Sequence, residues 1–248
     1  MRTLKSSPLR SILDASAPRG ELIPGLLPAD GIAILTAAPK VGKTMFASQA
    51  ALAIQEGTSF LGFPPGPAGS VLYCDHESSA DDLRQRFKLL ERDAQDPYAL
   101  TFCRDSFQLA REEDVDGLIE LVQAAGHSLV IIDTLATYML GIDENDAGSV
   151  SKPMHGLRRL QHETGAAILV VAHASKSESH GKIAAKTRGS NAITATPSTL
   201  MVLTTSGKKG RLAIEGRFGP DLFIPLIRRS DGFWARDARA IDMTETVG

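Results

Sequence analysis

Short apolar runs alternate with segments of helical periodicity along most of the chain. Five runs are almost uniformly apolar, as strands buried on both faces are: residues 31–36, 70–75, 100–103, 129–133 and 166–172. The segments between them that carry apolar residues at helical spacing are 43–56, 78–91, 112–125 and 149–163. This alternation predicts an α/β fold in which helices cover both faces of a mainly parallel central sheet.

The pattern changes after residue 198. Three segments, at 199–205, 211–215 and 222–227, predict antiparallel strands joined by tight loops, and a turn is expected at 231–232. The first 29 residues contain four prolines and are predicted to pack along the core as an arm without regular structure. The predicted organisation is an arm (1–29), one α/β domain (30–240) and a short tail (241–248).

Composition and charge are those of a globular protein. Of 248 residues, 43% are hydrophobic and 23% are charged, and the net charge is −2, so any anion site must be local. The sequence has no run of about 18 apolar residues, so we expect no membrane span. The N-terminus lacks the apolar core of a signal peptide. The two cysteines, Cys74 and Cys103, are too few for a disulfide framework, so we expect a reduced, cytoplasmic protein.

The strongest chemical signal is the segment 37–44, Ala-Ala-Pro-Lys-Val-Gly-Lys-Thr, between the first strand and the first helix. Backbone N–H groups at this place can surround a polyphosphate, Lys43 can reach its β- and γ-phosphates, and the Thr44 hydroxyl can bind Mg²⁺. Ala37 replaces the usual leading glycine, which costs little if its φ angle is ordinary. The residues predicted to contact the nucleotide are Ala38, Pro39, Lys40, Val41, Gly42, Lys43, Thr44 and Met45.

Carboxylates and a histidine end the neighbouring strands. Asp133 closes the apolar run 129–133 and is predicted to hold Mg²⁺ opposite the Thr44 hydroxyl. Glu77, just after the second strand, is predicted to be the general base for the attacking water, whereas Asp75 is assigned a structural role. His173 ends the fifth strand, where it would lie near the γ-phosphate.

The order of these motifs resembles that of the RecA-like ATPases of the RepA type, the small hexameric replicative helicases of plasmids and phages. The resemblance extends from about Leu22 to Arg236 and is more distant for DnaB helicases and RadA-type recombinases. The matching segments are 39–44, 73–77, 130–135, 144–145, 172–176 and 188–190. The resemblance implies ATP and Mg²⁺ as cofactors, single-stranded DNA as a partner and a homo-oligomer, with a hexameric ring expected.

The resemblance also implies residue roles. Glu77 matches the catalytic base and His173 the γ-phosphate sensor, although RepA-type proteins usually have a second histidine where this chain has Ala172. Arg86, nine positions beyond Glu77, matches an arginine that lies against the adenine.

An arginine from a neighbouring subunit is expected to complete the site. Relatives of the RepA type carry it ten residues past the Arg-Gly-Ser motif, where this chain has Ser198. A second candidate is Arg217, in a segment similar to the Lys-x-Arg-x-Gly-Pro turn of DnaB and RadA relatives, with Glu215 in place of the lysine. Arg188 is the alternative.

The loop from His173 to Gly189 is predicted to contact single-stranded DNA. Its cations are Lys176, Lys182, Lys186 and Arg188, against one acid, Glu178. It has no aromatic residue, so binding would depend on the charge of the phosphate backbone.

Three functions fit these residues. The first is a ring-forming, ATP-driven motor on single-stranded DNA, a replicative helicase that works with a primase or a replication initiator. The second is a recombinase-like or accessory DNA-binding ATPase that does not unwind. The third is a nucleotide-switched scaffold. The sequence does not separate the first two, and it gives neither translocation polarity nor oligomer number.

Overall fold

A computed structural model describes residues 8–10, 20–90, 100–143, 146–174, 193, 196–216 and 221–240. The strands are β1 (Glu21–Ile23), β2 (Leu27–Pro28), β3 (Ile32–Ala37), β4 (Val71–Asp75), β5 (Leu100–Cys103), β6 (Leu129–Asp133), β7 (Ala167–His173), β8 (Thr199–Ser206), β9 (Lys209–Gly216), β10 (Leu222–Arg228) and β11 (Trp234–Arg236). The helices are α1 (Lys43–Glu56), α2 (Ala80–Leu90), α3 (Glu112–Ala125) and α4 (Ala147–Thr164), with a 3₁₀ helix at Leu135–Met139.

Nine strands form one sheet in the order β11-β10-β9-β8-β3-β7-β6-β4-β5. The pairs from β8 through β3, β7, β6 and β4 to β5 are parallel, and those from β8 through β9 and β10 to β11 are antiparallel. The predicted α/β class, with a mainly parallel sheet and C-terminal antiparallel strands, is therefore confirmed. Parallel strands bring their carboxyl ends to one edge, where ligands bind in open α/β sheets.

Two apolar clusters cover the two faces of the sheet. In β6, Leu129 and Ile131 belong to the cluster that contains α1, whereas Val130 and Ile132 belong to the cluster that contains α3 and α4. This alternation explains why the central strands are apolar at every position. None of the helices in the described ranges is long and apolar enough to cross a membrane.

The expectation of an irregular N-terminal arm is wrong for residues 21–28. These residues form an antiparallel hairpin of β1 and β2, with Gly25 in the turn at a φ of 79°. Its leucine and isoleucine side chains are buried in the α1 cluster. Two strands of three and two residues are too short to show an alternating pattern, so the prolines alone suggested irregular structure.

The start of α2 also differs from its prediction. The helix begins at Ala80 rather than Ser78, because Ser79 and Asp82 cap it reciprocally. The Ser79 backbone N–H donates to Asp82 Oδ2 at 3.0 Å, and the Asp82 N–H donates to Ser79 Oγ at 3.0 Å. This capping arrangement fixes the first residue of a helix.

A buried histidine joins the beginnings of neighbouring parallel strands. His127 Nδ1 lies 2.7 Å from Ser70 Oγ, just before β4, and His127 Nε2 lies 3.2 Å from Thr101 Oγ1 in β5. Burial lowers the pKa of His127, because the charged imidazolium loses hydration there.

We expect the free energy of unfolding to decrease as the pH falls below about 6.5, the ordinary histidine pKa. Below that pH the unfolded chain binds a proton on His127, whereas burial disfavours the same protonation in the folded protein. His127→Gln should flatten this dependence and lower stability at a pH of about 7.5 by about 1–3 kcal/mol, since Ser70 and Thr101 each lose one hydrogen bond to the imidazole. Urea unfolding at that pH and at about 5.5 measures both effects. His155→Gln, on the exposed side of α4, is the control, and an unchanged pH slope in His127→Gln would contradict the assignment.

Candidate active site

The carboxyl edge of the parallel strands gathers most of the predicted site residues that the structure describes. Ala37, the last residue of β3, pairs with His173 at the end of β7. Asp133 ends β6 and pairs with Asp75 at the end of β4, and Glu77 follows two residues later. Residues far apart in sequence therefore lie side by side around the loop that joins β3 to α1.

This loop has the shape of an anion-binding concavity. Lys40 and Gly42 both adopt left-handed conformations, with φ angles of 64° and 106°. Left-handed residues in a tight loop can turn backbone N–H groups to one side, where an anion can accept from them. Helix α1 begins at Lys43 without a side-chain cap, so its first N–H groups remain available to an anion. Ala37 keeps ordinary strand geometry, so the replaced glycine introduces no strain.

Lys43 is folded back onto its own loop. Its Nζ donates to the carbonyl oxygens of Ala37 at 3.1 Å and Ala38 at 3.3 Å, and it lies 3.4 Å from His173 Nδ1. Burial lowers the pKa of Lys43, and the negative charges of Asp133 and Glu77 oppose that shift. The Lys43 ammonium group therefore contacts its own loop and His173, and it lies within electrostatic reach of Asp133 and Glu77.

Asp133 is almost completely buried, with 3% of its surface exposed. This burial raises the pKa of Asp133 to about 6, and hydrogen bonds from the hydroxyls of Tyr73 and Thr44 oppose the rise. Tyr73 OH donates to Asp133 Oδ2 at 2.8 Å. Tyr73 is not among the predicted site residues, although a tyrosine inside a buried strand needs a partner for its hydroxyl.

Glu77 accepts hydrogen bonds from two threonines. Its Oε1 lies 3.2 Å from Thr134 Oγ1, and Thr137 Oγ1 also donates to it. Thr134 directly follows Asp133, and Thr137 belongs to the 3₁₀ helix after β6. The carboxylate of Glu77 is thus held against the end of the strand that carries Asp133.

Asp75 holds the connection between β4 and α2. Its Oδ1 accepts from the Ser78 N–H at 2.8 Å, and its Oδ2 forms an ion pair with Arg86 Nη1 at 3.1 Å. Arg86 also donates to Ser78 Oγ at 2.9 Å, which places its guanidinium at the carboxyl edge. Contact of Arg86 with an adenine stays a prediction.

Several predicted residues lie outside the described ranges, so their roles stay predictions. They are Lys176, Lys182, Lys186, Arg188 and Arg217.

Three solved structures have a fold similar to that of this chain. A structure described as an ATPase domain is 15% identical, with a TM-score of 0.62, over 84% of this chain and 85% of that one. A DnaB-like replicative helicase, described with its interactions with primase, is 13% identical with a TM-score of 0.64, over 91% of this chain. The match spans only 64% of that helicase. The KaiC-like protein PH0186 from Pyrococcus horikoshii is 18% identical with a TM-score of 0.58, over 89% of this chain and 97% of that one.

Each of these three structures aligns with most of this chain although the sequence identity is low. The likenesses therefore confirm the RecA-like fold. No curated protein sequence shows significant similarity to the chain. A family model does match, over residues 3–179, which is well over half of the sequence. The chain therefore belongs to the AAA_25 family, whose description is "AAA domain".

Proposed function

We propose that this protein hydrolyses ATP to drive a homo-oligomeric ring along single-stranded DNA, as a replicative helicase of the plasmid or phage type. The observation that carries the proposal is the convergence of Lys43, Asp133, Glu77 and His173 on one phosphate loop at the carboxyl edge of a RecA-like sheet. Membership of an AAA-domain family supports the ATPase, and the helicase among the structural relatives agrees with it.

The residues present fit a nucleotide with Mg²⁺. The loop and the uncapped start of α1 offer backbone N–H groups, Lys43 offers a positive charge, and Thr44 and Asp133 are oxygen ligands of the kind Mg²⁺ prefers. Among the described residues, no three His, Cys, Asp or Glu side chains group into a metal site, so nucleotide oxygens would complete the coordination. Bound Mg²⁺ would neutralise charge on the phosphates.

Glu77 is proposed to orient and deprotonate the attacking water. Glu77 is exposed to solvent, and the Thr134 hydroxyl donates to its carboxylate, which suits a base that must meet a water at a set position. His173 is proposed to sense the γ-phosphate. Its Nδ1 lies beside Lys43 Nζ, and this contact must break when Lys43 turns toward a bound phosphate.

The direction of β9 supports a shared site. Gly216, the residue before Arg217, pairs with Thr199, which pairs with Ala33 near the start of β3. The phosphate loop follows the opposite end of β3, about 13 Å away along the strand. Gly216, the last described residue of β9, therefore lies far from the phosphate loop of its own chain, and for this reason we propose that Arg217 acts across a subunit boundary.

Mixed oligomers test this assignment. Arg217→Ala and Lys43→Ala chains should each be nearly inactive alone, because removing a trans arginine costs about 10³–10⁵ in rate. Mixing them should restore part of the hydrolysis, since some interfaces then join an intact Arg217 to an intact loop. Full activity of Arg217→Ala alone would contradict the assignment and leave Arg188 as the candidate.

The proposed DNA contact is the basic loop that follows His173. Strand β7, which precedes these residues in the sequence, ends beside the last residue of β3, and we propose that β7 transmits the nucleotide state to them. A DnaB-like helicase was described with its interactions with primase, and we include a primase or a replication initiator among the proposed partners.

Strand displacement on a forked duplex tests the helicase proposal. ATP-dependent release of one strand is the expected result. DNA-stimulated hydrolysis without release would favour the recombinase-like or accessory ATPase, and hydrolysis indifferent to DNA would favour the scaffold.

A further inference from the structure

Two side chains from the C-terminal strands hydrogen-bond to the outer side of the phosphate loop. Trp234 Nε1, in β11, donates to the carbonyl oxygen of Gly42 at 3.2 Å. Arg228 Nη1, at the end of β10, donates to the carbonyl oxygen of Lys40 at 3.3 Å. The two acceptors belong to the two left-handed residues of the loop.

These contacts have a physical consequence for anion binding. A loop that turns N–H groups inward directs carbonyl groups outward, and donors on those carbonyls stabilise that arrangement before any anion arrives. A loop already in its binding shape loses less conformational freedom when it binds.

Trp234 is itself firmly held. Its side chain is buried, with 2% exposed, and a Cβ at position 42 would lie only 3.2 Å from the indole nitrogen, so the ring fills the space beside Gly42. Its backbone N–H donates to Gln49 Oε1 at 2.9 Å, and its carbonyl accepts from Gln49 Nε2 at 3.1 Å. Gln49 lies in α1, the helix that begins where the phosphate loop ends.

We infer that Trp234 and Arg228 are positioning residues that keep the phosphate loop in its anion-binding shape. The inference rests on the proposed nucleotide site. It adds to that site the hydrogen bonds of Arg228 in β10 and Trp234 in β11, which together form a brace for the loop. The site would thus extend beyond the parallel half of the sheet to its antiparallel strands.

The test compares ADP affinity, measured by calorimetry, among variants that remove each donor. Trp234→Phe keeps an aromatic ring and Arg228→Met keeps a long side chain, and each should weaken ADP binding about five-fold, the value of one hydrogen bond. Arg228→Lys should recover part of the loss. The matched control is Arg229→Met, because that exposed arginine pairs with Asp231 instead.

Hydrogen exchange separates positioning from general stability. In nucleotide-free protein, the amides of residues 38 and 40–43 should exchange faster in Trp234→Phe and Arg228→Met, while those of β6 should not change. Because Trp234 is the single tryptophan of the chain, ADP should also change its fluorescence in the wild type.

The outcomes are distinguishable. A wild type that binds no ADP contradicts both the proposed function and the brace. A wild type that binds ADP, with unchanged affinity in Trp234→Phe and Arg228→Met, overturns the brace alone. Equal weakening by Arg229→Met overturns the part assigned to Arg228, because the effect of Arg228→Met would then follow from lost surface charge.

Discussion

Lys43→Ala is expected to reduce ATP hydrolysis by about 1,000-fold or more and to weaken nucleotide binding. The reason is electrostatic: the buried Lys43 ammonium offsets the negative charges of Asp133 and Glu77. Removing it leaves the carboxylates to repel the phosphates. Phosphate release measures turnover, and calorimetry measures ADP affinity.

Lys152→Ala is the matched control, since Lys152 is exposed on α4. It should hydrolyse ATP at the wild-type rate. Substantial hydrolysis by Lys43→Ala would show that the loop at 37–44 is not where the phosphates bind.

Glu77→Gln is expected to retain nucleotide binding and to hydrolyse ATP about 100–10,000-fold more slowly, which is the usual contribution of a general base. The replacement amide keeps an oxygen that can accept from the Thr134 hydroxyl, so the local geometry should persist while basicity is lost. Lys43→Ala should therefore lose both nucleotide binding and hydrolysis, whereas Glu77→Gln should lose hydrolysis alone.

Glu120→Gln, at an exposed position on α3, controls for the loss of one negative charge. If Glu77→Gln lost nucleotide binding as fully as Lys43→Ala, Glu77 would be a structural residue, and the base would have to be sought elsewhere.

The parts of this molecule that sequence predicts well are those encoded locally. The apolar runs of β3, β4, β6 and β7 and the helical spacing of α1 and α3 each lie within a few adjacent residues, and their bounds agree with the structure closely. The sequence pattern of the phosphate loop is equally local, because a glycine and a lysine at the junction of one strand with one helix are enough to identify it.

The residues that escaped prediction act through distant partners. Tyr73 reaches Asp133, 60 positions away, and Trp234 reaches Gly42, 192 positions away. Their positions depend on the strand order, which places β4 beside β6, and on the return of β11 toward the loop. The spacing of residues within one segment cannot encode such contacts. A lone tryptophan or tyrosine in an apolar run does indicate that its N–H or O–H group needs a polar partner.

The claim that this chain is a DNA-dependent ATPase is tested most directly by the rate of phosphate release from ATP, measured with and without single-stranded DNA. We predict Mg²⁺-dependent hydrolysis by the wild type, an increase in rate when single-stranded DNA is added, and neither in Lys43→Ala. Absence of hydrolysis under both conditions, or a rate that DNA leaves unchanged, would contradict it.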